Sequence, residues 1–218
     1  MLAERGFELH PGAAAPMLTD LLRALANIPI ERAGARLRGV DGLDGLLDAR
    51  GCIGAVAANH IGAAARPVRA LLFNKSAANN WSLGWHQDRT IAVIDRREVE
   101  SFGPWTIKAG IVHVEPPAAL QAAMITLRVH LDVVDTTNSP LLVAPGSHRL
   151  GRIQQADIAA VVRRCGIASC VAAAGDIWAY STPILHASEA AAMPGSRRVL
   201  QVDYATGHLP GDLQWLGI

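Results

Sequence analysis

Cysteine is scarce in this chain. Its 218 residues include only Cys52, Cys165 and Cys170, none of them in a CxxC pair. That argues against a disulfide framework and against a zinc knuckle. An excess of one charge is also lacking: 20 Lys and Arg against 19 Asp and Glu leave a formal net charge of +1. The basic residues come at most in short pairs such as Arg96-Arg97, Arg163-Arg164 and Arg197-Arg198. Nothing in this balance implies affinity for nucleic acid or for an acidic membrane surface. No uncharged apolar stretch reaches the ~18 residues of a transmembrane helix. A cationic start followed by a long apolar run, the mark of a signal peptide, is missing as well. The expected setting is a reducing cytoplasm, where ferrous iron persists.

Half of the residues are hydrophobic, much of that alanine. A chain of this length can bury one core without metal staples. The expectation is a single domain over residues 1–218, with a helical part (1–65) packed on a jelly-roll core (66–206). Within the first part, Met17, Leu21, Leu22 and Leu25 share one face of a helix over 16–27. Further helices are expected over 43–49 and 53–65. After residue 66 the period falls towards two. Strands are expected over 68–73 and 90–94, and a short helix follows Pro116-Pro117.

Residues 124–132 alternate cleanly. Ile125, Leu127, Val129 and Leu131 share one face, and Thr126, Arg128, His130 and Asp132 share the other. A surface helix is expected over 156–164. Short strands follow around 169–171, 176–180, 184–188 and 199–204. Many short strands separated by turns point to a mainly β fold with flanking helices, a double-stranded β-helix or jelly roll of the cupin kind.

Two segments carry chemistry. One is Trp85-His86-Gln87-Asp88. The other is Gly175-Asp176-Ile177-Trp178 running on to His186-Ala187-Ser188, with Arg197 eleven positions after His186. Two imidazoles and a carboxylate suit Fe(II) and leave three octahedral positions open. An arginine at that distance suits a co-substrate carboxylate. Together they suggest iron- and 2-oxoglutarate-dependent oxygenase chemistry. His-x-Asp alone is a weak signal, and a second copy, His130-Leu131-Asp132, exists. In either copy, residues i and i+2 of a strand point to one side. His86 follows a tryptophan and is expected to open a strand at a barrel mouth. His130 and Asp132 sit mid-strand beside Arg128, which is expected to pair with Asp132 and would set a positive charge next to any dication. The ligand pair is therefore read as His86 and Asp88. His130 is left either lining the pocket or in a structural ion pair.

The ordered runs Leu72-Phe73-Asn74-Lys75, Trp85-His86-Gln87-Asp88, Asn138-Ser139-Pro140-Leu141, Pro145-Gly146-Ser147-His148-Arg149, Gly175-Asp176, His186-Ala187-Ser188 and Arg197-Arg198 resemble the phytanoyl-CoA dioxygenase family, over about residues 68 to 205. The resemblance implies Fe(II) on His86, Asp88 and His186, with O2 and 2-oxoglutarate consumed. It puts the distal carboxylate of 2-oxoglutarate on Arg197 and Ser188, with Gln87 and Lys75 lining that pocket. Arg128 would hold 2-oxoglutarate or an anionic substrate, and Trp85 is the tryptophan best placed to meet a substrate. Because Asp88 is present, the resemblance favours hydroxylation of a small molecule over halogenation. One departure is Ser139, where the family commonly has Gly; it is expected to affect a turn and not the chemistry. His10 is expected in a disordered segment. Two alternatives remain at this level: a non-catalytic binding protein of the same fold, and a cupin-type metal enzyme that does not use 2-oxoglutarate.

Overall fold

A computed structural model describes residues 2–29 and 34–218. Thirteen strands follow one another among the described residues: β1 (Phe7–His10), β2 (Gly34–Leu37), β3 (Arg66–Lys75), β4 (Leu83–His86), β5 (Ile91–Val93), β6 (Trp105–Lys108), β7 (Ile111–Val114), β8 (Ile125–His130), β9 (Leu141–Val143), β10 (Ala168–Cys170), β11 (Ile177–Ser181), β12 (His186–Ser188) and β13 (Arg197–Ala205). They form a six-stranded sheet in the order β1-β11-β8-β13-β3-β2, a four-stranded sheet β10-β9-β12-β4, and a three-stranded sheet β5-β7-β6. The named pairings are all antiparallel. This is the mainly β jelly roll that the strand spacing predicts.

The large sheet is covered on one face by the helices Leu18–Ala24, Leu43–Leu47 and Cys52–Ile61. Their apolar stripes bury Leu21, Leu25, Leu43, Leu47, Ile53 and Val56 against Leu72, Ile125, Leu127, Val129, Ile177, Leu200 and Val202. Fully burying one such leucine or isoleucine contributes about 2 kcal/mol. Tyr204 joins this layer and satisfies its buried hydroxyl by donating to the carbonyl of Leu47 at 2.8 Å. The opposite face of the sheet turns inward and is polar: Arg128, Arg197 and Gln201 line a cavity there, with Thr126, His130 and Asp203 on the same side of their strands. The alternation read over 124–132 thus separates a helix-packed face from a cavity face, and both are buried in β8.

The first 65 residues are not purely helical. Strands β1 and β2 form the two edges of the large sheet, with Phe7 opposite Tyr180 and Gly34 opposite Phe73. His10 is ordered and sits opposite Ile177. These four-residue strands are defined by a partner that arrives more than a hundred residues later in β11, or more than thirty later in β3, so local periodicity does not reveal them. Gly175-Asp176 ties the N-terminal segment down. Asp176 accepts from the backbone N–H of Gly12 through Oδ1 and from that of Ala173 through Oδ2, both at 2.8 Å. Gly175 has a φ of 89°, and a Cβ there would lie 3.0 Å from Ala15. Its conformation and the close approach both require glycine. No helix among the described residues is long and apolar enough to cross a membrane.

Candidate metal centre

Strand β4 ends at His86, and β12 begins at His186; the two residues are Cα partners in the antiparallel pair. Their rings lie 4.3 Å apart between centroids. Two residues after β4 the chain presents Asp88. One ligand atom from each of His86, Asp88 and His186 lies within 4.8 Å of the others. His86 closes its strand rather than opening one, so Asp88 approaches from the segment beyond β4.

The tautomers follow from the backbone. The Nδ1–H of His86 donates to the carbonyl of Gly84 at 2.7 Å, and that of His186 to the carbonyl of Ile184 at 3.0 Å. A carbonyl can only accept, so in each ring Nδ1 carries the hydrogen and Nε2 keeps its lone pair. Both imidazoles use the carbonyl two residues upstream as the partner that fixes a metal-binding tautomer. Burial pushes the His186 imidazole down to about 4 even though Asp88 pulls the other way. It is therefore neutral at working pH. Burial would raise the Asp88 carboxyl, but Arg69 and the two histidines outweigh it and hold it below the ordinary value. Asp88 Oδ2 accepts from Arg69 at 3.3 Å and more weakly from Gln201 at 3.4 Å, which leaves Oδ1 for a metal. Two imidazoles with Nε2 free and one carboxylate oxygen on one side of a cavity form a donor set that fits Fe(II).

The cavity, about 220 Å³, opens between the large sheet and the four-stranded sheet. Its floor holds the three candidate ligands, with Arg197 and Ser188 beside them. Arg197 is 2 % exposed, and its Nε and Nη1 have no hydrogen-bond partner among the described residues. Burial, then Arg128, pushes this guanidinium down to about 9, well below an ordinary arginine. Unpartnered buried donors of this kind fit a carboxylate presented in the plane of the fork. Next to it, Lys75 is the Cα partner of Arg197. Its ammonium donates to Ser139 Oγ at 2.5 Å, Ser188 Oγ at 2.9 Å and the carbonyl of Glu189 at 2.6 Å. Burial, then Arg197 and Arg128, lowers it to about 7. Lys75 lies behind the cavity wall and holds Ser188 rather than lining the space itself.

Ser139 turns out to belong to this cluster. It adopts a φ of 57° and is 3 % exposed, and its hydroxyl meets Lys75, Ser188 and the carbonyl of Glu189. A glycine there would serve the turn alone; the serine also supplies a polar contact beside the cavity, so its effect is not confined to the turn.

Several expectations need correction. Gln87 faces away from the cavity. Its Nε2 donates to the carbonyls of Gly151 and Pro183 at 2.9 and 2.7 Å, and its Oε1 accepts from the N–H of Ile153 at 2.9 Å. It is a clamp between loops, on the opposite side of the chain from His86. Trp85 likewise alternates outward and packs with Ile153, Ile158 and Val162 under the helix Ile158–Cys165. Trp81 takes the place expected of it in the lining. Arg128 does not pair with Asp132. Its Nη1 donates to Gln201 Oε1 at 3.0 Å, and its guanidinium sits 5.3 Å from the Phe73 ring centroid. Asp132, beyond the end of β8, instead takes Arg198 through Nε at 2.9 Å and Nη2 at 2.7 Å. Among the described residues His130 is in no ion pair; it is buried, and desolvation, then Arg128 and Arg197, pushes it down to about 3. It is absent from the cavity lining.

Residues not singled out beforehand include Arg36, Arg69, Lys108 and Gln201, all of which line the cavity. Arg69 and Gln201 were accessible by a simple rule: stepping by two from Lys75 along β3 reaches Phe73, Leu71 and Arg69, and stepping by two from Arg197 along β13 reaches Gln201 and Asp203. A second group with metal-ligand character, Glu8, His10 and His60, lies on β1 and the helix Cys52–Ile61, outside the cavity. A second cavity, about 230 Å³, lies around Gln87, Arg89, Glu115, Gln121 and Arg152 and holds neither group.

Comparison with known proteins gives one family. The profile described as phytanoyl-CoA dioxygenase (PhyH) matches residues 45–199, more than half of the chain. No curated protein matches the sequence. Among solved structures, EctD from S. alaskensis with bound Fe has a TM-score of 0.63 at 15% identity, covering 94% of this chain and 74% of that one. HygX from Streptomyces hygroscopicus with nickel and 2-oxoglutarate bound has a TM-score of 0.64 at 13% identity, covering 94% and 84%. The epimerase SnoN in complex with Fe3+, alpha ketoglutarate and nogalamycin RO has a TM-score of 0.65 at 16% identity, covering 97% and 88%. At these identities the likeness is one of fold.

Proposed function

This chain belongs to the phytanoyl-CoA dioxygenase family, and from that premise we propose that it is an Fe(II)- and 2-oxoglutarate-dependent oxygenase. Its reaction is hydroxylation of an unactivated C–H bond in a small molecule, with release of succinate and CO2. The observation that carries this reading is the arrangement on the cavity floor. Two imidazoles, each fixed by a backbone carbonyl with Nε2 free, share one point with Asp88 and stand beside a buried arginine whose donors are unpartnered.

In this reading His86, Asp88 and His186 hold the iron, which with 2-oxoglutarate supplies the oxidising chemistry. Arg197 takes the distal carboxylate of the co-substrate, and Ser188 hydrogen-bonds the same group. Lys75 and Ser139 position Ser188. Asp88 would offer Oδ1, because Arg69 and Gln201 donate to Oδ2. Leu71, Phe73 and Leu141 supply the apolar part of the wall, where a C–H bond lies without competing water. Hydroxylation is preferred to halogenation because a carboxylate stands where a halide would otherwise bind. Free cysteines support a reducing, cytoplasmic setting.

The test is anaerobic titration of the metal-free protein with Fe(II) and then 2-oxoglutarate, watching for a weak visible charge-transfer band at roughly 500–530 nm. A band that needs both additions and is weakened by Arg197→Ala supports the reading. Bound iron with no band overturns it.

A further inference from the structure

The cavity is markedly one-sided in charge. Arg36, Arg69, Lys108, Arg128 and Arg197 line it, and Asp88 is the only carboxylate among the lining residues. Two of these cations have partners already assigned. Arg69 is paired with Asp203 at 2.5 Å. Arg197 faces the co-substrate in the reading above, on which this inference rests. With Fe(II) on Asp88 and a dianionic co-substrate on Arg197, the floor carries no net charge. Arg69 with Asp203 adds none. Arg128 remains deep in the site on Gln201, and Arg36 and Lys108 remain at the exposed mouth.

The mouth is the informative part. Arg36 comes from the edge strand β2 and Lys108 from β6, which belong to different sheets, yet both side chains reach the same cavity. Among the described residues Arg36 has no hydrogen bond or ion pair from its side chain. Among the same residues Lys108 donates only to the Thr90 hydroxyl, at 3.0 Å. Desolvation, and then Arg69, pushes both below their ordinary values; on Lys108, Asp88 pulls the other way and Arg36 adds to the depression. An exposed lysine usually faces water without consequence. Here, cations from separate sheets crowd one opening, neither is in an ion pair among the described residues, and the one carboxylate acting on Lys108, Asp88, is already held by Arg69; an arriving anion relieves that crowding. A cleft of one sign also gathers and steers ligands of the other.

We propose that the substrate of this site carries a small anionic group, carboxylate or phosphoryl, that docks between Arg36 and Lys108 at the cavity mouth. The guanidinium offers a planar fork and the ammonium a point charge, a pair suited to either anion. Held there, the group directs the apolar remainder of the molecule past Trp81 and Leu71 towards the metal. Specificity for the anion is thus separated from the chemistry on the floor.

Calorimetric titration of the anaerobic protein loaded with Fe(II) and 2-oxoglutarate tests this, using methyl phosphate and, separately, propanoate at constant ionic strength. At least one probe is expected to bind saturably. In the double variant Arg36→Gln/Lys108→Gln its affinity should fall by about tenfold or more, roughly the loss of one charge-assisted contact. The charge-transfer band of the loaded protein should be retained in that variant, which shows that fold and floor are intact. Arg36→Lys, which keeps the charge, should retain most of the binding. The better probe identifies the anion. Equal affinity in wild type and double variant, or no saturable binding of either probe, overturns the proposal. Probe binding that depends on Arg36 and Lys108 in a protein that never forms the band keeps the anion site and rejects the oxygenase.

Discussion

Arg69 bridges two carboxylates: its Nε holds Asp203 at 2.5 Å and its Nη2 reaches Oδ2 of Asp88 at 3.3 Å. One oxygen of the candidate metal ligand is thereby occupied by a cation, and the cation is itself neutralised by a second, buried acid. Replacing Arg69 by Met strands Asp203 with Thr126 as its remaining polar partner. An uncompensated buried charge typically costs about 3–5 kcal/mol. Arg69→Met is therefore expected to lower the urea midpoint by an amount worth about 3 kcal/mol. Arg69→Met/Asp203→Leu should cost less than the sum of the single variants, because removing both charges leaves nothing unpaired.

The two His-x-Asp copies make opposite predictions for metal content. His86→Ala is expected to abolish stoichiometric iron binding under anaerobic conditions, since one of three ligands is lost. His130→Ala and Asp132→Ala are expected to retain it. Asp132→Ala should instead lose the Arg198 clamp, at a cost of about 1 kcal/mol given its partial exposure, visible in thermal unfolding. Colorimetric iron determination on the desalted variants decides between the copies.

Arg197→Ala is expected to leave iron affinity within about twofold while weakening 2-oxoglutarate by about a hundredfold, equivalent to losing roughly 2–3 kcal/mol of charged hydrogen bonding. The measurement is the concentration of 2-oxoglutarate at half-maximal band intensity. Equal affinity in wild type and variant would move the co-substrate to Arg128.

Lys75 gives the co-substrate step a pH dependence of known sign. Its ammonium is lowered to about 7 by burial and by Arg197 and Arg128. A dianion seated on Arg197 favours the charged lysine, so the pKa is higher in the complex than in the free protein, and binding takes up a proton. Affinity is therefore full below pH 7 and declines as pH rises above 7 towards the pKa of the complex, by up to about tenfold per pH unit. Lys75→Met should flatten this slope. Binding titrations from pH 6 to 9 in buffers of different ionisation enthalpy read both the slope and the proton uptake.

Much of this site was legible in the sequence because period two was read correctly where strands are long. The alternation over 124–132 puts Arg128 and Leu127 on opposite faces, and in the structure Arg128 lines the cavity while Leu127 packs in the helix layer. The three candidate ligands and Arg197 also came from short motifs at strand ends. The failures share a cause. The resemblance puts Gln87 in the co-substrate pocket, and adjacency to a ligand puts Trp85 near a substrate, although both flank His86 and adjacent residues of an extended chain point to opposite sides. Arg128 was assigned to Asp132 on the same strand, but the carboxylate lies past the strand end, where Arg198 reaches it from β13. A cation beside a carboxylate does not by itself separate the two His-x-Asp copies, because Arg69 reaches Asp88 from β3. Strands β1 and β2 exist because of distant partners, and no local pattern encodes those.

The parity of the central strands has a practical consequence for changing this protein. In β3 and β13 the odd-numbered positions Arg69, Leu71, Phe73, Arg197 and Gln201 meet the cavity, while the even-numbered Ala70, Leu72, Leu200, Val202 and Tyr204 meet the helices. In β8 the parities are exchanged, with Arg128 inward and Ile125, Leu127 and Val129 outward. Each strand is thus a two-track tape, and substitutions can be drawn from one track while the other continues to hold the fold. A library randomised at Leu71 and Phe73 would explore new substrates with the helix-packed layer untouched. The same library moved one residue along β3 would yield mostly unfolded protein.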